Sequence, residues 1–280
     1  MKSWMRKQGV LIFSPQGIEA ENDKYQNIYQ TGCLVGDPLN LETLQFNHGE
    51  FQELDLGFDF YAAQTMISPD GRRILSAWMG LPEINYPTEK FGYCGCLTIP
   101  RELTLKEGKL IQQPIKELKQ LRYNHKRFQK ILTSDERFML ETGAMFELEI
   151  ILEMKDPTEL RFGIRADQKN EAKTLIHIDK NKSEVIIDRS QSGAAFATEY
   201  GNTRKIAGNI SDEIKLQIFV DQSSIEIFIN DGEIVASSRI FPNEDQNYLF
   251  IETINGKSAI QLDYWRLKDS NEELKATTSK

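Results

Sequence analysis

Long apolar runs are what this 280-residue chain lacks first of all. The stretch Val10 to Phe13 near its start is far short of a signal-peptide core or a membrane span, so no membrane partner is expected and the reading is a cytoplasmic protein. Positive charge is also in deficit: 34 Lys and Arg stand against 42 Asp and Glu, a formal net charge of -8. Binding a phosphate backbone needs clustered cations that displace counterions, and this balance excludes nucleic acid as a partner. Cysteine and histidine are scarce. Cys33, Cys94 and Cys96 cannot all pair within one chain and read as free thiols, while His48, His125 and His177 are scattered without ligand spacing. Neither a metal nor any other cofactor is expected.

What is present is alternation. A hydrophobic content of 40% supplies real cores, and the length suits two ordinary domains or one large all-β unit. Period-two patterns recur almost throughout, broken by turn signals about every ten residues, the habit of sandwiches, barrels and propellers. In EIKLQIFVDQSSIEIFINDGEIVASSRIFP, Ile214, Leu216, Ile218 and Val220 alternate with Lys215, Gln217 and Phe219. A second strand answers with Ile225, Ile227 and Ile229, and Asn230, Asp231 and Gly232 supply the positive-φ chemistry of a tight hairpin into Glu233 to Ser237. LIHIDKNKSEVIIDRS repeats the device, and further strands are predicted at Met145 to Met154 and Leu160 to Arg165. Only QQPIKELKQLR argues for a helix, with Pro114 at its first position and Ile115, Leu118 and Leu121 at three-residue spacing. The basic, poorly patterned LRYNHKRF that follows is the expected boundary between residues 1–122 and 123–280. The polar tail from Asp269 onward should fray.

One stretch packs chemistry. In GFDFYAAQTMISPDGRRILSAWMG, Asp59, Tyr61, Gln64 and Trp78 cluster near the ends of two strands separated by a Pro-Asp-Gly turn. An acidic all-β protein with aromatics at strand ends invites a search for paired carboxylates, because glycoside hydrolysis places two of them on either side of the scissile bond. Glu19, Glu21, Asp55, Asp59 and Glu83 are candidates, and spacing does not choose two of them; an acid in a loop is otherwise simply solvated.

The ordered blocks LIFSPQGIEAENDKYQNIYQTG, ELDLGFDFYAAQT, GRRILSAWMG, CLTIPRELTLKEGKLIQQPIKEL, IDRSQSG and VDQSSIEIFINDGE are similar to consecutive blocks of glycoside hydrolase family 32. The resemblance runs from about Val10 to Leu267 and is nearest to the family's bacterial sucrose-6-phosphate hydrolase (β-fructofuranosidase, invertase) group. It implies a five-bladed β-propeller followed by an antiparallel β-sandwich, and cleavage of the fructosyl bond of sucrose or sucrose 6-phosphate. In the family the three acidic motifs, N-D-P-N-G, R-D-P and E-C, precede the S-P-Q-G segment, here Ser14 to Gly17. Gly36-Asp37-Pro38 and Lys155-Asp156-Pro157 mimic R-D-P only loosely and read as turns, and neither Glu19 nor Glu21 is followed by cysteine.

The resemblance therefore carries over no catalytic residue. It implies the last propeller blades in residues 1–122, the sandwich in 123–280, and inactivity of the chain alone, with a separate N-terminal polypeptide as the partner that would complete the propeller. What it does carry over is a wall. Asp59 and Tyr61 match its D-F-Y-A block and Trp78 its W-M-G block, which implies contact with sucrose or another fructosyl saccharide; Phe60, between them, reads as packing. Ala63 and Tyr93 depart from the commoner proline and tryptophan without touching chemistry. The independent rationale is that a sugar's apolar face stacks on Trp or Tyr while a carboxylate accepts its hydroxyls. The reading from another class is a non-catalytic carbohydrate-binding or assembly module.

Overall fold

The computed structural model describes residues 8–154, 159–208 and 210–269, so the Lys155-Asp156-Pro157 turn and the tail beyond Asp269 lie outside the described residues. A three-stranded sheet opens the chain, in the order β1 (Gly9–Phe13), β2 (Gly32–Gly36) and β3 (Gln52–Glu53). Next come β4 (Tyr61–Ile67), β5 (Arg73–Met79), β6 (Cys96–Leu97), β7 (Arg101–Lys106) and β8 (Lys109–Pro114), ordered β4-β5-β7-β8 with β6 paired to β5.

The rest of the chain builds two six-stranded sheets. Its strands are β9 (Arg122–Thr133), β10 (Arg137–Glu141), β11 (Phe146–Glu153), β12 (Glu159–Ala166), β13 (Lys173–Asp179) and β14 (Glu184–Gln191). They continue through β15 (Thr203–Ala207), β16 (Glu213–Asp221), β17 (Ser224–Ile229), β18 (Ile234–Arg239), β19 (Tyr248–Thr253) and β20 (Lys257–Leu267). One sheet runs β10-β19-β12-β13-β14-β15 and the other β18-β17-β16-β11-β20-β9, all antiparallel. None of the four sheets closes on itself among the described residues. No helix among them is long and apolar enough to cross a membrane.

Alternation explains the two large sheets. Leu148, Ile150 and Leu152 of β11, Ile214, Leu216 and Ile218 of β16, and Phe162 and Ile164 of β12 turn into one shared core. Each such side chain contributes about 1.5–3 kcal/mol by leaving water. Asn230 and Asp231 take φ of 50° and 56° and Gly232 of 87°, which lets β17 fold straight back into β18. The front strands share a smaller core of Cys33, Val35, Leu54, Phe60, Leu75, Ala77 and Leu103, so Phe60 is packing.

One expectation changes. The predicted helix is a 3₁₀ segment, Lys116–Leu121, and Pro114 closes β8 instead of opening a helix. Three-residue spacing of Ile115, Leu118 and Leu121 matches three residues per turn, not 3.6, and six residues cannot offset the cost of α-helix nucleation. LRYNHKRF, the expected boundary, forms most of the edge strand β9 and pairs with β20. Its Lys126 and Arg127 are exposed, and charge on an exposed sheet edge discourages pairing with another chain.

Candidate functional site

The chemistry-bearing residues gather where the front strands meet the β17–β18 hairpin, and they fall into two buried clusters and one solvent-facing group. Asp59 is completely buried. Tyr86 donates its phenolic O–H to Oδ1 (2.8 Å), while Arg189 Nη1 and the backbone N–H of Arg239 both donate to Oδ2 (2.8 Å each). The Arg189 guanidinium lies over the Phe58 ring (4.0 Å) and the Phe196 ring (4.3 Å). Burial, and then the Asp59 carboxylate, push the Tyr86 phenol well above its ordinary value; burial pulls Arg189 below its own. The carboxylate proposed for a sugar hydroxyl is thus taken up by protein donors on both oxygens.

The second cluster centres on Arg101, also without exposure. Its Nη1 donates to Asp55 Oδ2 and Gln112 Oε1 (3.0 Å each), and its Nη2 to Glu226 Oε2 (2.7 Å) and Ser237 Oγ (2.6 Å). Backbone donors finish the job, Gly57 and Ser237 on Asp55 Oδ1 and Ile99 on Glu226 Oε1. Two carboxyls share one guanidinium here. Burial raises both Asp55 and Glu226 against the pull of Arg101. Of the five candidate acids, Asp55 and Asp59 are buried and paired with arginines, Glu19 and Glu21 face solvent, and Glu83 is exposed and accepts the Tyr29 hydroxyl.

Tyr61 and Trp78 form the solvent-facing group. They are direct partners across the β4–β5 ladder, so both side chains stand on one face, and each is half-buried. A bulge follows at once, with Ala62 at φ 52°, and frees Tyr61 to meet Tyr29 (5.3 Å between ring centroids) and accept a hydrogen bond from Gln16 Nε2 (3.1 Å). The Trp78 indole sits in a slot between glycines. A Cβ on Gly80 would fall 2.3 Å from Cε2 and one on Gly95 2.0 Å from Nε1. Gln16, Tyr29, Tyr61 and Glu83 are thus linked by direct contacts, and Trp78 stands beside Tyr61 on the same face, which brings aromatic rings, an amide and a carboxylate close together. No group of three or more metal-ligating side chains occurs among the described residues.

Arg101, Tyr86, Arg189, Glu226 and Arg239 are absent from the sequence-level candidates. A signal for three of them exists: Arg189 continues the inward register of Val185 and Ile187, Arg101 that of Leu103, and Glu226 shares its strand face with Phe228. A charge on a buried register demands a partner, and the partners sit far away in sequence.

Comparison with known proteins follows the same division. Residues 3–114 match the family model for the glycosyl hydrolases family 32 N-terminal domain, and residues 117–266 the model for the family 32 C terminal. Sucrose-6-phosphate hydrolase of Staphylococcus xylosus is 41% identical over 263 residues, covering 92% of this chain and 52% of the relative. That of Bacillus subtilis is 41% identical over 261 residues with the same coverage. Among solved structures, sucrose-6-phosphate hydrolase from Lactobacillus gasseri superposes with a TM-score of 0.82 at 32% identity, over 92% of this chain and 52% of that one. A variant of the Bombyx mori GH32 β-fructofuranosidase in complex with sucrose gives 0.75 at 30% identity, over 94% and 52%. The chain spans about half the length of the curated relatives it matches.

Proposed function

The chain belongs to glycoside hydrolase family 32, and on that premise we propose that it is the C-terminal portion of a glycosidase that cleaves the fructosyl bond of sucrose or sucrose 6-phosphate. In this reading residues 1–122 are the last blades of a five-bladed propeller and residues 123–280 its sandwich. Tyr61 and Trp78 face the sugar, with Asp59 holding the wall from behind through Tyr86 and Arg239. The half-exposed Tyr61–Trp78 pair in its glycine-lined slot is the observation that carries this. The exposed Cys94 thiol suits the reducing cytoplasm to which the proposal assigns the protein.

The strand edges support incompleteness. β1 and β4 each end a sheet, and Leu11, Met66 and Ile67 on them are 49%, 64% and 63% exposed. Unpaired backbone beside apolar side chains is a surface that another polypeptide would cover, and a propeller normally leaves no such edge open. Retaining hydrolysis needs a nucleophilic carboxylate and a second carboxyl to protonate the leaving oxygen, about 5 Å apart. Here Asp55 and Asp59 are bound to arginines instead. The chain alone should bind sugar weakly and not cleave it.

The test is release of glucose or glucose 6-phosphate by the purified chain, with and without a polypeptide supplying the remaining blades. No turnover alone and turnover on mixing is the expected result. Turnover by the mass-verified chain alone would overturn the proposal; saturable sucrose binding with no gain on mixing would favour a carbohydrate-binding module.

A further inference from the structure

The slot around Trp78 is braced from the sandwich. Its two walls are Gly80 and Gly95, and the residues just before them, Met79 and Cys94, give their carbonyl oxygens to a single group: Arg239 Nη1, at 3.5 and 3.3 Å. Arg239 ends β18 and is completely buried. Its Nε donates to the Ser223 carbonyl (3.0 Å), its Nη2 to Ser223 Oγ (3.2 Å), and its backbone N–H to Asp59 (2.8 Å). The guanidinium also lies over the Tyr86 ring (5.3 Å) and the Phe241 ring (5.1 Å). A planar fork clamped at one end by Ser223 presents the two N–H groups of its Nη1 at a fixed separation, one toward each carbonyl. That separation spaces the two backbone segments flanking the indole.

We propose that Arg239 is a positioning residue for the sugar wall: it sets the width of the Gly80–Gly95 slot and so the orientation of Trp78, making the sandwich part of the site's geometry. The inference rests on the reading of Trp78 as sugar-facing, but the slot can be probed without sugar. Lysine offers a point charge that cannot hold Ser223 and both carbonyls together, so Arg239→Lys should loosen the slot although the charge is kept.

The experiment uses the full chain with Trp4 and Trp265 replaced by phenylalanine, leaving Trp78 as its one indole. Gly95→Ala, whose Cβ must expel the indole, defines the signal of a displaced Trp78. Arg239→Lys should move the emission maximum to the red and raise acrylamide quenching toward the Gly95→Ala level, with far-UV circular dichroism unchanged. Should Arg239→Lys fail to fold, Ser223→Ala, which removes only the Nη2 partner, decides: raised quenching supports the inference and unchanged quenching overturns it. Emission and quenching unchanged in a folded Arg239→Lys chain overturn it as well. A displaced indole in the variant, with no response of the parent to sucrose or fructose, would uphold the brace and remove the sugar reading.

Discussion

Asp59 and Arg189 stand 130 residues apart in sequence and 2.8 Å apart in the fold, both withdrawn from water. The pair ties the strand carrying Tyr61 to β14, and removing one partner leaves the other charge buried. Asp59→Asn keeps the shape and deletes the charge, so it should cost about 3–5 kcal/mol of unfolding free energy in urea titration. A loss near zero, with weakened sugar binding, would show that Asp59 serves the sugar directly.

The Arg101 cluster predicts a pH dependence. Asp55 and Glu226 are raised by burial, so the folded state holds their protons more tightly than the unfolded state. Their contribution is fully present below the ordinary carboxylate range, about 4, and is lost as pH climbs through the raised folded values. Glu226→Gln abolishes one of these titrations. Its stability relative to the parent, measured as urea midpoints across the acidic to neutral range, should rise with pH; a difference independent of pH would contradict the raising of Glu226 by burial.

Gly232 has φ 87° and would place a Cβ 1.8 Å from the Gln112 carbonyl oxygen, where the hairpin tip meets β8. Gly71 has φ 86° and open space around it. Gly232→Ala should therefore cost about 2–4 kcal/mol, strain and overpacking together, and Gly71→Ala only about 1 kcal/mol. Equal losses in thermal unfolding would mean that the hairpin tip is not in contact with β8.

Thiol chemistry should be graded. Cys94 is exposed, Cys96 is partly covered and raised by burial, and Cys33 is buried with its thiol pushed up to about 11. A chromogenic disulfide should label Cys94 quickly, Cys96 slowly and Cys33 only on unfolding, as read by peptide mass mapping. Rapid labelling of Cys33 in the folded chain would disprove the packing of β2.

The rear sheets were readable because each strand reports its own burial: Ile214, Leu216 and Ile218 face one core, and Asn230 to Gly232 carry their own turn geometry. β9 was not, since its residues 123–127 and 129–131 are exposed on both faces and so show no period. The site was legible only in part. Trp78 and Tyr61 could be singled out by residue type, but which of Asp59 and its neighbours meets solvent depends on Arg189 and Arg239, partners that local pattern does not disclose.

The seam also constrains the order in which the chain can mature during synthesis. Asp55 receives Ser237, 182 positions downstream, and Asp59 the backbone of Arg239, 180 positions downstream. A carboxylate buried before such donors exist would cost several kcal/mol, which disfavours closing the strands around Asp55 and Asp59 before β18 is available. Those strands are expected to close after β18 has been translated, onto a sandwich whose own hairpins form locally. Of the two segments, the one translated before the other is then the one that finishes after it.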